Sequence, residues 1–147
     1  MEIGEIIKTK FKHPQQKAVI NVRYTSNWIA NLQNTFMASF DLTMPQFNIL
    51  RILRGANQTL SVNVVKERMI EKSPNTTRLM DKLIEKKLIE RVRCDNDRRI
   101  VYVTITKKGL AILSEIDVEF NSTFLFSDNL TDQEAETLSI LLDKLRG

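Results

Sequence analysis

Apolar positions recur at helical spacing in six stretches of this chain and alternate with polar ones in a seventh. The first long stretch runs from about Pro14 to Phe40. Pro14 suits the opening turn of a helix, where its missing N–H costs nothing. Val22, Ile29, Leu32, Phe36 and Phe40 then recur at intervals of three, four or seven and make a stripe, with Trp28 beside it. Large apolar groups occupy more than one face here, and either the chain's own domain or a second chain must cover them. Residues 2–10 have no firm pattern and read as a short helix or a loose segment.

A second helix opens at Thr43, where Gln46 completes a capping box and Pro45 falls in the first turn. Phe47, Ile49, Leu50 and Leu53 supply its apolar face, and Gly55 is expected to end it. Ser61 can cap a short third helix from Val62 to about Met69, with Val62, Val65 and Met69 inward. Ser73 and Pro74 open a fourth, whose buried stripe is Leu79, Leu83 and Ile84 with Met80 beside them. Asn75, Thr76, Thr77, Arg78, Asp81 and Lys82 are left mostly to solvent. The period then changes to two. Over Ile89–Cys94, Val92 and Cys94 alternate with arginines. Over Ile100–Thr106, Val101, Val103 and Ile105 alternate with Tyr102 and Thr104. Two paired strands follow, each with one buried face, joined by a turn at Asp95–Arg99. Thr106 caps a long helix with Leu110, Leu113, Ile116 and Phe120 on one face. The pattern breaks over Asn121–Asn129, where Phe124, Leu125 and Phe126 need a cover. A second capping box at Thr131 and Glu134 starts a last helix carrying Leu138, Leu141, Leu142 and Leu145. The predicted class is mainly α with a small β-wing.

Composition removes several function classes. At 147 residues and 42% apolar content, the chain suits one domain, or one domain with helical extensions. A single cysteine rules out an internal disulfide framework and fits a reducing cytoplasm. No apolar run approaches the roughly 20 residues of a membrane helix, and the segment MEIGEIIKTKFKH has no signal-peptide core. One His, one Cys, no phosphate-binding glycine loop and no Cys/His ligand spacing leave nothing from which to assemble a catalytic or metal site. The expectation is a chain that is not an enzyme and carries no cofactor.

Charge is distributed unevenly. Between Lys66 and Gly109 there are thirteen basic and seven acidic side chains, an excess of +6, whereas residues 110–147 carry two basic and eight acidic, −6. A polyanion would approach one side and be repelled by the other. The fourth helix begins with amide and hydroxyl side chains followed by Arg78, groups that bond base edges or phosphates. Asn and Thr are poor helix formers, so three in a row there ask for a reason beyond solubility. Arg98 and Arg99 at a hairpin tip fit insertion into a narrow, electronegative minor groove, and Asp97 can brace Arg99 across the turn. A groove-sized helix followed by a basic hairpin is the outline of a DNA-reading winged helix-turn-helix. The candidate readers are Ser73, Asn75, Thr76, Thr77, Arg78 and Lys82 on the helix and Arg98 and Arg99 on the wing.

Three segments, LTMPQFNILRIL, TTRLMDKLIEKKLIER and DNDRRIVYVTITKKG, resemble the MarR (multiple antibiotic resistance regulator) family over roughly residues 15–145. The last matches that family's D-x-R wing and the L-T-x-x-G opening of the next helix, with Ile105 in place of the usual Leu. The resemblance implies a winged helix-turn-helix lobe over about 42–106 and interlocking dimerisation helices at about 14–40 and 107–147. It implies a homodimer that binds a pseudo-palindromic operator in double-stranded DNA, and a repressor that a small aromatic ligand relieves. By position it places Thr77 and Arg78 in the recognition helix, with Asp97 and Arg99 bracing and inserting the wing. Tyr24, Trp28, Met44 and Phe47 are candidate lining for an effector crevice, although at helical spacing such residues also serve as core. The family usually has Gly where Lys87 stands, so either a strained left-handed Lys87 or a reshaped helix end is expected. Thiol-sensing relatives carry a cysteine in the N-terminal helix region. Here the lone Cys94 sits on the inward face of a wing strand by alternation, which suits packing. The rival reading is a winged-helix protein-interaction module that does not bind DNA.

Overall fold

The computed structural model describes residues 1–72, 74–93, 99–124 and 129–147, and the chain divides into two compact units, 1–110 and 111–147. Ser73, Cys94, Asp95–Arg98, Leu125 and Phe126 lie outside the described residues, as do the side chains of Phe120 and Phe124.

The first unit opens with the single turn α1 (Ile3–Ile6) and the long helix α2 (Pro14–Ala38), in which only Met37 is buried. Helix α3 (Met44–Ala56) begins as its local sequence requires. The Thr43 hydroxyl accepts from the Gln46 amide and the Gln46 side chain accepts from the Thr43 amide, so the capping box closes both ways. Its end differs from expectation. The helix runs through Gly55, and the left-handed cap is Asn57 at φ +50°, because Asn tolerates that conformation nearly as well as Gly. Strand β1 (Leu60–Ser61) precedes α4 (Val62–Arg68), which Ser61 caps. Helix α5 (Thr76–Glu85) starts later than the Ser73-Pro74 signal suggests, with Asn75 as its N-cap.

Strands β2 (Ile89–Arg93) and β3 (Val101–Ile105) form the expected hairpin, but β1 joins it to give an antiparallel sheet in the order β1-β3-β2. The register corrects one face. Ile89 lies opposite Ile105 and Arg91 opposite Val103, so these share a face with buried Ile89 and Val103. Val92 lies opposite Tyr102 on the other face and is exposed, which removes it from the scaffold that alternation had assigned it. The core of the unit is Phe47, Ile49, Leu50 and Leu53 from α3, Val65 from α4, Met80 and Leu83 from α5, and Ile89 and Val103 from the sheet.

The end of α5 has no glycine. The Lys87 amide donates to the Ile84 carbonyl at 2.9 Å and the Leu88 amide to the Leu83 carbonyl at 3.0 Å, the two bonds of a Schellman closure. That closure needs a left-handed residue at position 87, and Lys87 supplies it at φ +61°. Leu88 and Leu83, both buried, provide the apolar contact that accompanies the motif.

In the first turn of α6 (Lys107–Phe124) the Thr106 hydroxyl accepts from the Gly109 amide at 3.1 Å. Gly109 is required by close approach: a Cβ there would fall 2.2 Å from the Leu88 carbonyl oxygen. In the second unit α6 continues to Phe124, past the expected break at Asn121, with Leu113 and Ile116 fully buried. Helix α7 (Asp132–Arg146) opens on the capping box of Thr131 and Glu134. The backbone amide and hydroxyl of Thr131 both donate to the Glu134 carboxylate and hold it below the usual carboxylate range. Leu138, Leu141 and Leu145 of α7 are about half exposed. No described helix is long and apolar enough to cross a membrane.

Replacing Lys87 by Gly should raise unfolding stability by about 1 kcal/mol, because the left-handed cost falls on the Cβ. Urea titration checks this. The midpoint should rise with an unchanged slope, and an unchanged midpoint would mean that position 87 is unstrained.

Candidate nucleic-acid interface

Helix α5 is strongly two-sided. Its inward face consists of Thr76, Met80 and Leu83, all nearly inaccessible. The opposite face presents Thr77, Arg78, Lys82 and Glu85 to solvent, with Asp81 partly covered and Asn75 exposed at the amino end. Thr76 is therefore corrected. Placed among the solvent-facing readers by the sequence pattern, it is 1% exposed and cannot reach a ligand. Thr76 lies four and seven residues before the buried Met80 and Leu83, and that spacing puts it on the inward face.

The wing approaches one flank of α5. Thr77, Met80, Asp81 and Ile84 of α5 line a hollow of about 290 Å³ together with Ser61–Asn63, Arg91, Arg99 and the start of β3. The Arg91 guanidinium pairs with the Asp81 carboxylate across it, joining α5 to β2. Both partners are about half exposed, so the pair adds little to stability. Its effect is on chemistry: Asp81 is engaged by Arg91, while Thr77, Arg78 and Lys82 stay exposed on the outer row. Arg99 is exposed at the base of the wing. Ser73, Asp97 and Arg98 lie outside the described residues.

Arg91 and Asn63 were missed by the sequence reading. The signal for Arg91 was present, an arginine on a strand ten residues beyond an aspartate on a helix. Recognising it needed the strand register, which depends on Ile89 being the buried residue.

Within one chain the four candidate effector residues do not share one hollow. Met44 and Phe47 line a hollow of about 90 Å³ with Ala30, Gln33, Arg51 and Met69. That is well short of the roughly 300 Å³ at which small-molecule sites begin. The Arg51 guanidinium lies 5.7 Å from the Phe47 ring centroid, and Phe47 itself is buried core. Tyr24 lines a separate hollow with Lys17, Asn21 and residues of α1, and Trp28 lines neither of these. The reason is axial distance. Helix α3 meets α2 at Ala30–Asn34, where Asn34 Oδ1 accepts from the Met44 amide at 3.3 Å, more than a turn beyond Tyr24. Among the described residues no group of three His, Cys, Asp or Glu could hold a metal ion.

Comparisons with known proteins agree with this architecture. The family model described as transcriptional regulator SarA/Rot matches residues 31–116. The multiple antibiotic resistance protein MarR of Salmonella typhimurium is 32% identical over 116 residues, 78% of this chain and 80% of that protein. A solved mutant of Escherichia coli MarR, complexed with operator DNA, is similar with a TM-score of 0.73 at 26% identity, covering 92% of this chain and 99% of that one. A MarR-like transcription regulator from Bacillus cereus shares the fold with a TM-score of 0.80 at 22% identity, covering 90% and 95%.

The two neighbouring threonines should separate cleanly. Thr76→Lys is expected to cost about 3 kcal/mol by burying an unpaired charge, whereas Thr77→Lys should stay within about 0.5 kcal/mol of the parent. Thermal or urea unfolding of the pair reads this, and equal effects would mean that the assigned faces of α5 are wrong.

Proposed function

This chain belongs to the MarR family of transcriptional regulators, and we propose that it binds double-stranded DNA as a homodimer and represses from a pseudo-palindromic operator. The observation that carries the proposal is helix α5, which exposes Arg78 and Lys82 and whose Thr77 and Asp81 line one hollow with Arg91 and Arg99 of the wing. Side chains of this helix reach base edges in a major groove, Arg78 as a bidentate donor to guanine. We assign Arg98 and Arg99 to the adjacent minor groove, Asp97 to bracing, and Ser73 and Asn75 to phosphate contact. E. coli MarR has been solved on operator DNA, which supports the same partner here. A small aromatic effector is not part of the proposal, since Tyr24, Trp28, Met44 and Phe47 are divided between different places.

The dimer is supported by apolar surface that each unit leaves uncovered. On α2, Val19, Val22, Trp28 and Leu32 are 37–44% exposed, and on α7, Leu138, Leu141 and Leu145 are 46–57% exposed. Patches of this kind mark association surfaces in soluble proteins. Sedimentation at micromolar concentration should give twice the 17.0 kDa chain mass, and a 17 kDa species would remove the dimer from the proposal.

DNA binding is tested by titrating duplex at several salt concentrations. Six or more phosphate contacts predict a loss of about a thousandfold or more between 50 and 200 mM salt. Arg78→Ala should weaken binding to a selected duplex by about 1–3 kcal/mol and relax preference at one base position. Absence of binding to any duplex at low salt would favour the rival, a winged-helix protein-interaction module.

A further inference from the structure

The carboxyl ends of two helices meet at one corner of the first unit, and both are closed by left-handed residues that are not glycine. Helix α2 closes through the Leu42 amide to the Met37 carbonyl at 3.1 Å, with Asp41 at φ +53°. Helix α5 closes through Lys87 and Leu88 as described. A helix carboxyl end exposes carbonyls and partial negative charge, and bringing two together calls for cations.

Two lysines supply them. The Lys86 ammonium reaches from the end of α5 to the end of α2, pairing with Asp41 Oδ2 at 2.9 Å and donating to the Asp41 backbone carbonyl. The Lys108 ammonium, in the first turn of α6, donates to the Lys86 carbonyl at 2.9 Å. Thr106 adds hydroxyl contacts to the carbonyls of Lys87 (2.8 Å) and Leu88 (3.1 Å). The Lys86 side chain is largely covered, at 29% exposure, while that of Asp41 is 92% exposed. A half-open pair of this sort contributes little stability. What two acceptors on one residue do fix is geometry, since the ammonium is held by main chain and side chain together.

We propose that Lys86 is a positioning residue for DNA binding, which holds the recognition helix α5 against the α2–α3 elbow through Asp41. Any change in the direction of α2 is thereby passed to the outer row of α5. This inference rests on the reading above, in which α5 meets DNA and α2 takes part in the dimer.

The test uses the full chain and a duplex that the wild-type chain selects from a random-sequence pool. Lys86→Met keeps the aliphatic stem and removes the ammonium. Asp41→Gly removes the carboxylate, leaves every lysine in place and suits a left-handed position. Each variant should lose about five- to tenfold in affinity with unchanged salt slope and sedimentation, while the unfolding midpoint holds in Lys86→Met and holds or rises in Asp41→Gly. The double variant should lose no more than either single one, because both remove the same tie. Lys86→Arg should recover most of the binding. A direct phosphate contact by Lys86 gives another pattern: the slope falls by about 1 in Lys86→Met and Asp41→Gly binds normally or more tightly. That pattern overturns the proposal, and so does wild-type affinity in both variants. If the wild-type chain selects no duplex, the DNA reading itself fails and this inference falls with it.

Discussion

Leu88 is the residue on which the lobe turns. Its amide closes α5 onto the Leu83 carbonyl, and its side chain fills the core beside Leu83. Its own carbonyl accepts from both the amide and the hydroxyl of Thr106, at the start of α6. One residue thus ends the reading helix, begins the approach to β2 and anchors the helix that leaves the lobe. A backbone carbonyl buried at such a crossing must be paired, and the Thr106 amide pairs it at 3.1 Å, with the hydroxyl shared between it and the Lys87 carbonyl. The left-handed Lys87 and the absent Cβ of Gly109 are the local conditions that permit it.

The elements set by local chemistry were legible in the residues alone. Thr43 with Gln46 and Thr131 with Glu134 announce two helix starts because a capping box is complete within four residues. Position 87 was legible as a conflict, since the closure needs a left-handed residue whichever side chain occupies it. Features that depend on distant partners were not. Strand β1 is two residues long and exists only because Leu60 and Ser61 pair with Val103 and Tyr102. The face of Val92 depends on a register fixed by buried Ile89. Thr76 changed role because the buried stripe of α5 is Thr76, Met80 and Leu83, whereas apolar residues alone centre it on Leu79, Leu83 and Ile84. A similar shortfall explains the effector crevice, where residues one helical turn apart on α2 were grouped with a helix that packs further along.

Electrostatics gives the reading face its character. The excess of +6 over residues 66–109 is not spread evenly over the surface. Arg91 is paired with Asp81, and Lys86 and Lys108 are spent on helix carbonyls at the opposite end of α5. The side of α5 that remains toward solvent is Thr77, Arg78, Lys82 and Glu85, with the donors toward its amino end. Pairing Asp81 engages the carboxylate nearest Thr77 and Arg78, so the amino-terminal part of the face offers mainly donors.

The glycines of the lobe carry a separate lesson about how much change the chain can absorb. A methyl group at Gly55 would meet nothing within 4 Å, whereas at Gly109 it would collide with the Leu88 carbonyl oxygen and the Ile105 side chain. Two residues of the same type therefore sit at opposite extremes of mutational freedom. Divergent copies of this chain can drift at position 55 with little effect on the fold. Position 109 is closed even to alanine, because the obstructing atom is main chain already committed to holding Thr106.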